Sequence, residues 1–249
     1  MQNDFASILN NERKQLLNVL RSTRFSQLNK DFIHQQIIPL ASYAPWEKDE
    51  EFVQLMDSIK NNTLVDKYRC YELWDLAKQV APLAGDVVEV GVWKGGTGAL
   101  IAKASESNPG SVVYLCDTFE GVVKAGEHDT NYKGGEHSDT NENLVKELLK
   151  ANNSTNAVIL KGIFPDDFQD QMQNKSYKFC HIDVDTYGSA KGVFDYIWPN
   201  LVVGGIVAFD DYGIWGCEGV TKMFNEIQIT NGTKIYNLNG HGVIIKNSL

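Results

Sequence analysis

Four aspartates follow two apolar segments in the C-terminal half of the chain. Asp183 and Asp185 come after one apolar run, and Asp210 and Asp211 come after the next. Single aspartates often only cap the turn after a strand, but ionised carboxylates this close together repel one another unless a cation or raised pKa values compensate. Oxygen ligands without a neighbouring thiolate favour Mg²⁺, with Mn²⁺ or Ca²⁺ as alternatives. We therefore predict a divalent cation site here, provided that the chain turns so that Asp210 and Asp211 can both reach it.

A second chemical signal is a glycine-rich turn that follows an apolar run, Glu89-Val90-Gly91-Val92-Trp93-Lys94-Gly95-Gly96. Gly91 allows a tight turn, and Gly95 and Gly96 would let the backbone approach a ligand closely. The spacing, acidic-x-Gly-x-x-x-Gly, is longer than the Gly-x-Gly-x-x-Gly expected for NAD or FAD. It resembles the loop that binds S-adenosylmethionine (SAM) in class I methyltransferases. SAM carries no pyrophosphate, and an acidic loop suits its amino and sulfonium groups. We predict that Glu89, Gly91, Trp93, Gly95 and Gly96 bind this cofactor.

Asp117 ends the next apolar run. An acidic residue at the tip of the second strand is where a nucleotide ribose offers its hydroxyls. The alternative is that Asp117 only starts the turn that it forms with Thr118 and Phe119. We predict that Asp117 binds ribose and that Thr118 and Phe119 also contact the cofactor. NAD enzymes share this feature, so Asp117 supports a nucleoside cofactor without identifying it.

The elements that must position these residues alternate between helix and strand from Lys67 onward. This alternation predicts a parallel sheet with right-handed crossovers. Strands are predicted over 87–90, 112–116, 157–160, 178–182, 206–209, 234–238 and 243–246, and helices over 68–80, 96–106, 142–150, 189–198 and 218–227. Pro199 is expected to stop the helix before it, and Asn239-Gly240 indicates a hairpin between the last two strands. The predicted fold is therefore α/β and Rossmann-like, a mostly parallel seven-stranded sheet with a C-terminal antiparallel hairpin, as in class I methyltransferases.

We predict two regions, a helical N-terminal extension over residues 1–66 and the α/β domain over 67–249. The extension is richer in Asn, Gln and charge, with helical periodicity over 50–59 and breaks around Pro39 and Pro45. Nothing catalytic stands out in it. We interpret it as a cap over the cofactor site or as the arm of a homodimer, with surface packing as an equal alternative.

Composition excludes several classes of function. The chain has 249 residues, 43% of them hydrophobic, with a formal net charge of −9 and a pI of about 5.0. This acidic balance, without a Lys/Arg cluster, argues against a general nucleic-acid binder. No apolar run approaches about 18 residues and no signal peptide opens the chain, so we expect a cytoplasmic protein with no membrane span. The four cysteines are scattered and are interpreted as free thiols.

The ordered motifs of the chain resemble those of the macrocin O-methyltransferase family, which includes the mycinamicin and novobiocin sugar methyltransferases. The resemblance covers roughly residues 67–246 and rests on the glycine-rich turn and on Asp117-Thr118-Phe119-Glu120-Gly121, Gly162-Ile163-Phe164-Pro165-Asp166, His181-Ile182-Asp183-Val184-Asp185-Thr186-Tyr187 and Asp210-Asp211-Tyr212-Gly213. It implies SAM, a divalent metal held by Asp185, Asp210 and Asp211, and methyl transfer to a hydroxyl group. The acceptor would be a small molecule, often a sugar on a natural product or a polysaccharide precursor.

Methyl transfer sets the remaining requirements of the site. SAM already carries a good leaving group, so the protein must align the acceptor oxygen and remove its proton. An alcohol is a poor nucleophile at neutral pH, and Mg²⁺ or Mn²⁺ together with a carboxylate or histidine can activate it. We predict Asp183 as the base, with His181 behind it and Asp185 also in the catalytic group. Asp183 should contact the cofactor as well.

The long polar loop over residues 126–139 is predicted to be a lid that closes over the acceptor and excludes water. His128 and His137 in this loop are interpreted as solvated, and His241 as a turn residue. Other functions remain open. They are a catechol-type metal-dependent O-methyltransferase, an NAD-dependent sugar oxidoreductase, which the loop spacing disfavours, and a SAM-binding protein without catalytic activity.

Overall fold

The computed structural model describes residues 2–21, 34–37 and 42–249. The chain divides into two compact units, Met1–Pro45 and Trp46–Leu249. In the first unit, helix α1 spans Gln2–Arg21, and the amide of Gln36 donates to the carbonyl of Arg21 at 2.9 Å. Parts of the predicted extension, including Pro39, lie outside the described residues. The second unit contains the sheet.

In the described part of the chain, seven strands form one sheet. The strands are β1 (Asp86–Val90), β2 (Val113–Asp117), β3 (Ala157–Lys161), β4 (Tyr177–Ile182), β5 (Leu201–Phe209), β6 (Gly232–Tyr236) and β7 (Gly242–Lys246). Their order is β3-β2-β1-β4-β5-β7-β6. The pairs among β1 to β5 are parallel, whereas β7 pairs antiparallel with both β5 and β6. The predicted mostly parallel sheet with a C-terminal antiparallel hairpin is confirmed.

Helices cover both faces of this sheet. They are α2 (Glu50–Ile59), α3 (Lys67–Val80), α4 (Gly96–Ala104), α5 (Glu142–Ala151), the short α6 (Gln169–Met172), α7 (Tyr187–Asn200) and α8 (Glu218–Glu226). Pro199 lies inside α7 and does not stop it, because the helix ends at Asn200, two residues later than predicted. The buried ammonium of Lys246 donates to the carbonyl of Leu201 at 2.7 Å and to that of Trp198 at 3.0 Å, so it satisfies carbonyls at this helix end. None of the described helices is both long and apolar enough to cross a membrane.

Helix α2 belongs to the sheet unit rather than to the extension predicted to end at residue 66. Its side chains Phe52 and Ile59 are fully buried, and they pack in one cluster with Trp74 of α3 and with residues of α4. Burying a side chain of this size stabilises the fold by about 1.5–3 kcal/mol. The hydrophobic pattern of α2 is therefore that of a core helix, and the compact unit begins at Trp46.

Helix α3 starts at a defined point beside the functional edge of the sheet. The side chain of Asp66 accepts hydrogen bonds from the amides of Tyr68 and Arg69, which caps the helix. This cap fixes the first turn of α3. Arg69 in that turn points toward the carboxyl ends of the strands.

Candidate active site

One cavity of about 220 Å³ opens at the edge of the sheet where the parallel strands end. Its walls come from the segments that follow β1 to β5, from the segment between α2 and α3, and from α7. It is lined by residues of both predicted clusters, namely Gly91, Trp93, Asp117, Thr118, Asp183, Asp185, Asp210 and Asp211. The fold therefore brings together two clusters that are distant in sequence.

The glycine-rich turn packs tightly against the end of β4 at one position. Gly91 has a φ of 89°, and a Cβ atom there would lie 1.6 Å from the carbonyl oxygen of Asp183. No other residue type fits, because both the backbone conformation and the space require glycine. Trp93 has a φ of 46° and also lines the cavity.

Gly95 and Gly96 pack against other parts of the protein and do not line the cavity. A Cβ on Gly95 would lie 2.9 Å from the side chain of Val145, and one on Gly96 would lie 2.7 Å from the carbonyl oxygen of Asn62. The amide of Gly96 donates to that same oxygen at 2.9 Å. These two glycines therefore let α5 and the segment before α3 approach the turn.

The segment before α3 is a part of the site that the sequence did not reveal. Asn62, Thr63, Leu64 and Val65 line the cavity, although they fall in the predicted extension. They carry no charge and no periodic pattern, so the only sequence signal is the capping residue Asp66 that follows them. Their position depends on the contact between Asn62 and the glycine-rich turn.

Asp117 holds the glycine-rich turn in place from the end of β2. Its Oδ2 atom accepts hydrogen bonds from the amides of Val92 at 2.7 Å and Trp93 at 2.8 Å. Its Oδ1 atom accepts one from the amide of Phe119 at 2.6 Å, which leaves acceptor capacity on that oxygen. Phe119 is buried and does not line the cavity. Ribose binding by Asp117 stays a prediction.

The carboxylates reach one cavity because the chain turns after each strand. Asp185 has a φ of 61° and Asp211 a φ of 62°, both in the left-handed region that Asp adopts more readily than most residues. Asp183, Asp210 and Asp211 each offer one oxygen, and these atoms lie within 4.8 Å of one another. Asp185 instead groups with Asp211 and Cys217. Asp211 belongs to both groups, so a metal held by Asp185, Asp210 and Asp211 stays a prediction, and Asp183 is a further candidate ligand.

Arg69 places a fixed positive charge in this cluster. Its Nη1 atom lies 2.5 Å from Oδ2 of Asp210 and 3.4 Å from Oδ1 of Asp211, while its Nε atom donates to Asp66 at 2.9 Å. Only 11% of the side chain is exposed. The sequence does not single out Arg69, because nothing along the chain links it to aspartates more than a hundred residues away.

Two histidines approach Asp210 from the side away from the cavity. Nε2 of His241 lies 2.8 Å from Oδ1 of Asp210, and Nδ1 of His241 lies 2.7 Å from Glu72. His241 is fully buried, so its predicted role as a turn residue is wrong. Nε2 of His181 lies 3.9 Å from the same Asp210 oxygen, and its Nδ1 lies 2.9 Å from Glu89.

This arrangement bears on the expected roles of Glu89 and His181. Both are fully buried and neither lines the cavity, and the predicted roles of Glu89 in cofactor binding and of His181 in catalysis stay predictions. The Oε2 atom of Glu89 and the Nε2 atom of His181 have no hydrogen-bond partner among the described residues. The two residues therefore support the site from behind, through Asp210.

The charges of the cluster are unevenly compensated. Burial raises the pKa of Asp210, but His181, His241 and Arg69 more than offset this and hold it well below its usual range. Burial and repulsion by Asp210 raise the pKa of Asp183 and Asp211 well above theirs. Negative charge thus exceeds the available positive charge on the cavity side.

The loop over residues 126–139 is anchored at several points. The carboxylate of Asp129 accepts from the amide of Tyr187 at 2.9 Å, at the start of α7, and from the amide of Gly126 at 2.8 Å. Trp93 donates its ring N–H to Asp139 at 2.8 Å. Between these anchors Tyr132 and His137 line the cavity, whereas His128 packs against Tyr187.

Tyr132 is a loop residue that lines the cavity and interacts electrostatically with Asp185. Its hydroxyl lies 4.0 Å from Sγ of Cys217, and this sulfur lies 3.9 Å from Oδ1 of Asp185. Burial and the charge of Asp185 raise the pKa of Tyr132. The hydroxyl therefore remains a hydrogen-bond donor near the charge of Asp185.

The residues present fit both groups that the resemblance implies. Gly91 admits a close backbone approach, and Asp117 retains an acceptor for a ribose hydroxyl. For a cation, the fit rests on the three carboxylate oxygens that share one small volume and on the raised pKa values of Asp183 and Asp211. A divalent cation there would compensate the excess negative charge.

A family model described as macrocin-O-methyltransferase (TylF) matches residues 18–246. Two curated relatives are also similar. The 8-demethyl-8-(2,3-dimethoxy-alpha-L-rhamnosyl)-tetracenomycin-C 4'-O-methyltransferase of Streptomyces olivaceus is 27% identical over 146 residues, which cover 54% of this chain and 55% of that protein. The mycinamicin III 3''-O-methyltransferase of Micromonospora griseorubida is 28% identical over 157 residues, which cover 57% of this chain and 61% of that protein. The chain thus spans little more than half the length of these relatives.

Solved structures show the same fold at low identity. The O-methyltransferase NovP has a TM-score of 0.63 and 21% identity, over 76% of this chain and 83% of NovP. The calicheamicin methyltransferase CalS11 has a TM-score of 0.61 and 18% identity, over 82% of this chain and 94% of CalS11. The O-methyltransferase from Bacillus cereus, solved in complex with SAH, has a TM-score of 0.52 and 16% identity, over 90% of this chain and 98% of that one. The fold is that of class I SAM-dependent methyltransferases.

Proposed function

Because this chain belongs to the macrocin-O-methyltransferase family, we propose that it is a SAM-dependent O-methyltransferase acting on a hydroxyl group of a sugar or of a sugar-bearing small molecule. The observation that carries the proposal is the single cavity that joins the glycine-rich turn to the aspartates. One end offers backbone and Asp117 for a nucleoside, and the other offers carboxylates for an acceptor hydroxyl. A methyl donor and an acceptor can therefore meet within it.

Binding of the donor depends on residues of the turn and of β2. Gly91, Trp93, Asp117 and Thr118 would hold SAM, which supplies an electrophilic methyl group. Asp117 keeps the turn in one conformation through the amides of Val92 and Trp93, so the donor site is formed before any ligand enters.

Activation of the acceptor depends on the aspartates. Asp183, Asp210 and Asp211 would hold Mg²⁺ or Mn²⁺, which acts as a Lewis acid and lowers the pKa of a hydroxyl group. Asp185 is the cavity carboxylate left outside this ligand set. It is our revised candidate for the base, in place of Asp183, because it faces the cavity beside Tyr132 and His137. There it can accept the proton of the acceptor hydroxyl.

The sugar acceptor is supported by the relatives. The curated proteins are named for methylation of a rhamnosyl group and of mycinamicin III, and another structure of CalS11 is described as a TDP-rhamnose 3'-O-methyltransferase. We propose the same class of acceptor for this chain, in natural product or polysaccharide biosynthesis. A catechol-type acceptor remains the alternative, since it also uses metal-bound carboxylates.

The cellular setting and assembly are proposals of the same kind. All four cysteines are free and buried, which suits a reducing compartment such as the cytoplasm. Helix α1 exposes Ile8, Leu16 and Leu20 by more than half, which suits the proposed homodimer arm. Light scattering on the full chain and on a chain lacking residues 1–45 would test this assembly.

The activity is tested with isotope-labelled SAM and three sets of acceptors: nucleotide-linked and glycoside-linked deoxysugars, free sugars, and catechols. We expect label in a sugar O-methyl ether, dependence on Mg²⁺ or Mn²⁺, and no turnover with NAD. Preferential labelling of catechols would favour the alternative acceptor. If the protein bound SAM but transferred no methyl group to any acceptor, we would conclude that it is a SAM-binding protein without catalytic activity. If it bound NAD and not SAM, the proposal would be contradicted.

A further inference from the structure

Five buried or half-buried side chains form a continuous row behind the aspartates, Glu89, His181, Asp210, His241 and Glu72. We call this set the carboxylate–imidazole row. Acidic groups and imidazoles alternate along it, and Asp210 stands in the middle. Only Asp210 of this row lines the cavity. The row therefore connects one residue of the site with the protein interior in two directions.

The sheet itself builds this row. Glu89 and His181 are direct neighbours in the register of β1 and β4, so their side chains lie on the same face. Asp210 and His241 each lie one residue beyond the paired positions Phe209 and Gly242 of β5 and β7. Helix α3 covers this face and contributes Glu72, one turn after Arg69. The row needs all these elements in register.

The hydrogen bonds at His241 determine how Asp210 is held. Both ring nitrogens of His241 are engaged, Nδ1 by Glu72 and Nε2 by Oδ1 of Asp210. With Oδ1 fixed in this way, Oδ2 of Asp210 faces Arg69 and the cavity. The corresponding contact of His181 is 3.9 Å long, too long for a hydrogen bond. The two sides of the row are therefore unequal, and His241 determines the orientation of the Asp210 carboxylate.

We propose that Glu72 and His241 form a positioning pair that fixes the carboxylate of Asp210 for cation binding. In other proteins, hydrogen-bonding partners outside the ligand set orient the carboxylates that ligate a metal, and His241 with Glu72 would do the same for Asp210. The inference rests on the metal-assisted function proposed above and assigns a role to two residues that never touch the acceptor. A structural role alone does not account for these residue types. Burying charged and polar groups usually costs more free energy than packing apolar side chains of similar size.

The test measures Mg²⁺ affinity by calorimetry on the full chain with S-adenosylhomocysteine bound, and separately the affinity for S-adenosylhomocysteine. We expect His241→Gln to weaken Mg²⁺ binding by about 10–100-fold and to change the affinity for S-adenosylhomocysteine by less than about twofold. His128→Gln is the matched control. It makes the same chemical change at a histidine that contacts Tyr187, away from Asp210, and both affinities should stay at the parental value.

A second pair of variants separates positioning from folding. Glu72→Gln keeps an oxygen that can accept from Nδ1 of His241, whereas Glu72→Ala removes it. Because the side chain of Glu72 is 21% exposed, these changes disturb the core less than changes at His241. Mg²⁺ binding should be weakened more by Glu72→Ala than by Glu72→Gln. This comparison distinguishes a positioning role from a structural role even if His241→Gln does not fold.

Three other results would contradict a positioning role for Glu72 and His241, and each points to a different explanation. Parental Mg²⁺ affinity in Glu72→Ala and in His241→Gln would show that Asp210 needs no support from the pair. Equal losses of both affinities would reduce the pair to a structural role. A parent protein that binds S-adenosylhomocysteine but no Mg²⁺ would overturn the inference and remove the metal from the proposed function, while methyl transfer itself would remain open.

Discussion

The two ends of the cavity are built on different principles. At the donor end the backbone is positioned by Gly91, and the carboxylate of Asp117 is engaged by three amides. At the acceptor end the site is formed by carboxylate side chains. Burial and neighbouring charges raise the pKa values of Asp183 and Asp211. The carboxylate at the donor end is therefore compensated without a ligand, whereas the carboxylates at the acceptor end are not.

This difference indicates what each end can tolerate. A donor site formed by backbone geometry fails when a side chain is added, because neither the chain nor the strand behind it can move. An acceptor site formed by charges fails when a charge is removed, because its partners are then left unpaired in a poorly solvated place. Steric changes should therefore have their largest effect at the donor end, and charge changes at the acceptor end.

The largest effect is expected from Gly91→Ala. The new methyl group would lie 1.6 Å from the carbonyl oxygen of Asp183 at a positive φ, so β1 and β4 could not keep their register. We expect loss of donor binding together with a fall in the free energy of unfolding of more than about 4 kcal/mol, a size that marks a severe mechanism. Urea unfolding and calorimetry measure both.

Gly213→Ala is the matched control for this steric effect. Gly213 lies two residues after Asp211 and has a φ of 82°, but a Cβ there would meet nothing within 4 Å. Only the conformational cost of about 1 kcal/mol should appear. Similar losses in the two variants would mean that backbone strain, and not the contact with Asp183, explains the result.

Removal of the internal cation should have the next largest effect. Arg69→Met keeps much of the volume of the side chain but leaves Asp210 and Asp211 without their guanidinium partner. We expect the free energy of unfolding to fall by about 3–5 kcal/mol, the usual cost of leaving a buried charge unpaired. Added Mg²⁺ should recover part of this loss by binding the native state. Unfolding curves with and without Mg²⁺ test this.

Arg69→Lys tests whether charge alone is sufficient. Lysine keeps the positive charge but cannot contact Asp66 and Asp210 with the planar fork of a guanidinium, so an intermediate loss is expected. Parental stability of Arg69→Met in the absence of Mg²⁺ would contradict the view that the acceptor end is undercompensated.

A smaller but more diagnostic effect is expected from Asp210→Asn. The change removes one charged ligand while preserving size, so S-adenosylhomocysteine should bind as before. Turnover should fall at least about 100-fold, because metal ligation supplies several kcal/mol of charge stabilisation to a developing alkoxide. EDTA should reproduce the loss in the parent enzyme, and Mg²⁺ should reverse it. Full activity in EDTA would remove the metal from the proposal.

Asp166→Asn is the control for this charge change. Asp166 pairs with Lys124 at the surface, outside the cavity, so its loss should leave turnover near the parental value. A comparable fall in both variants would point to a general effect of net charge and not to the ligand set.

The sequence predicted the sheet, its antiparallel hairpin and the convergence of the four aspartates. These features follow from local patterns, since apolar runs end at the same sheet edge whenever strands are parallel. The sequence did not predict which of these aspartates group together. The distances between Asp183, Asp185, Asp210 and Asp211 depend on the left-handed turns at Asp185 and Asp211. Spacing along the chain does not encode such turns.

The residues that sequence reasoning missed or misplaced act across long separations. Arg69 meets Asp210 from α3, near the start of the sheet unit, and His241 meets it from the position just before the last strand. Glu89 has the position of a cofactor ligand in the motif, and the contact that the motif does not reveal is the one with its register partner His181. Such contacts arise only when distant elements pack together, so no local pattern predicts them.

The smallest expected effect concerns the loop between the two ends. Asp139 holds the loop to the donor side through Trp93 and Lys94, and Tyr132 contacts Asp185 on the acceptor side. Lys133 lies between these contacts and is exposed, so trypsin should cut there slowly in the free protein. Donor product together with acceptor should slow this cleavage, because a lid closes when both ligands are present. Asp139→Ala should speed cleavage a few-fold without ligands and reduce the protection. Equal cleavage with and without ligands would contradict a lid and leave the loop as a fixed wall.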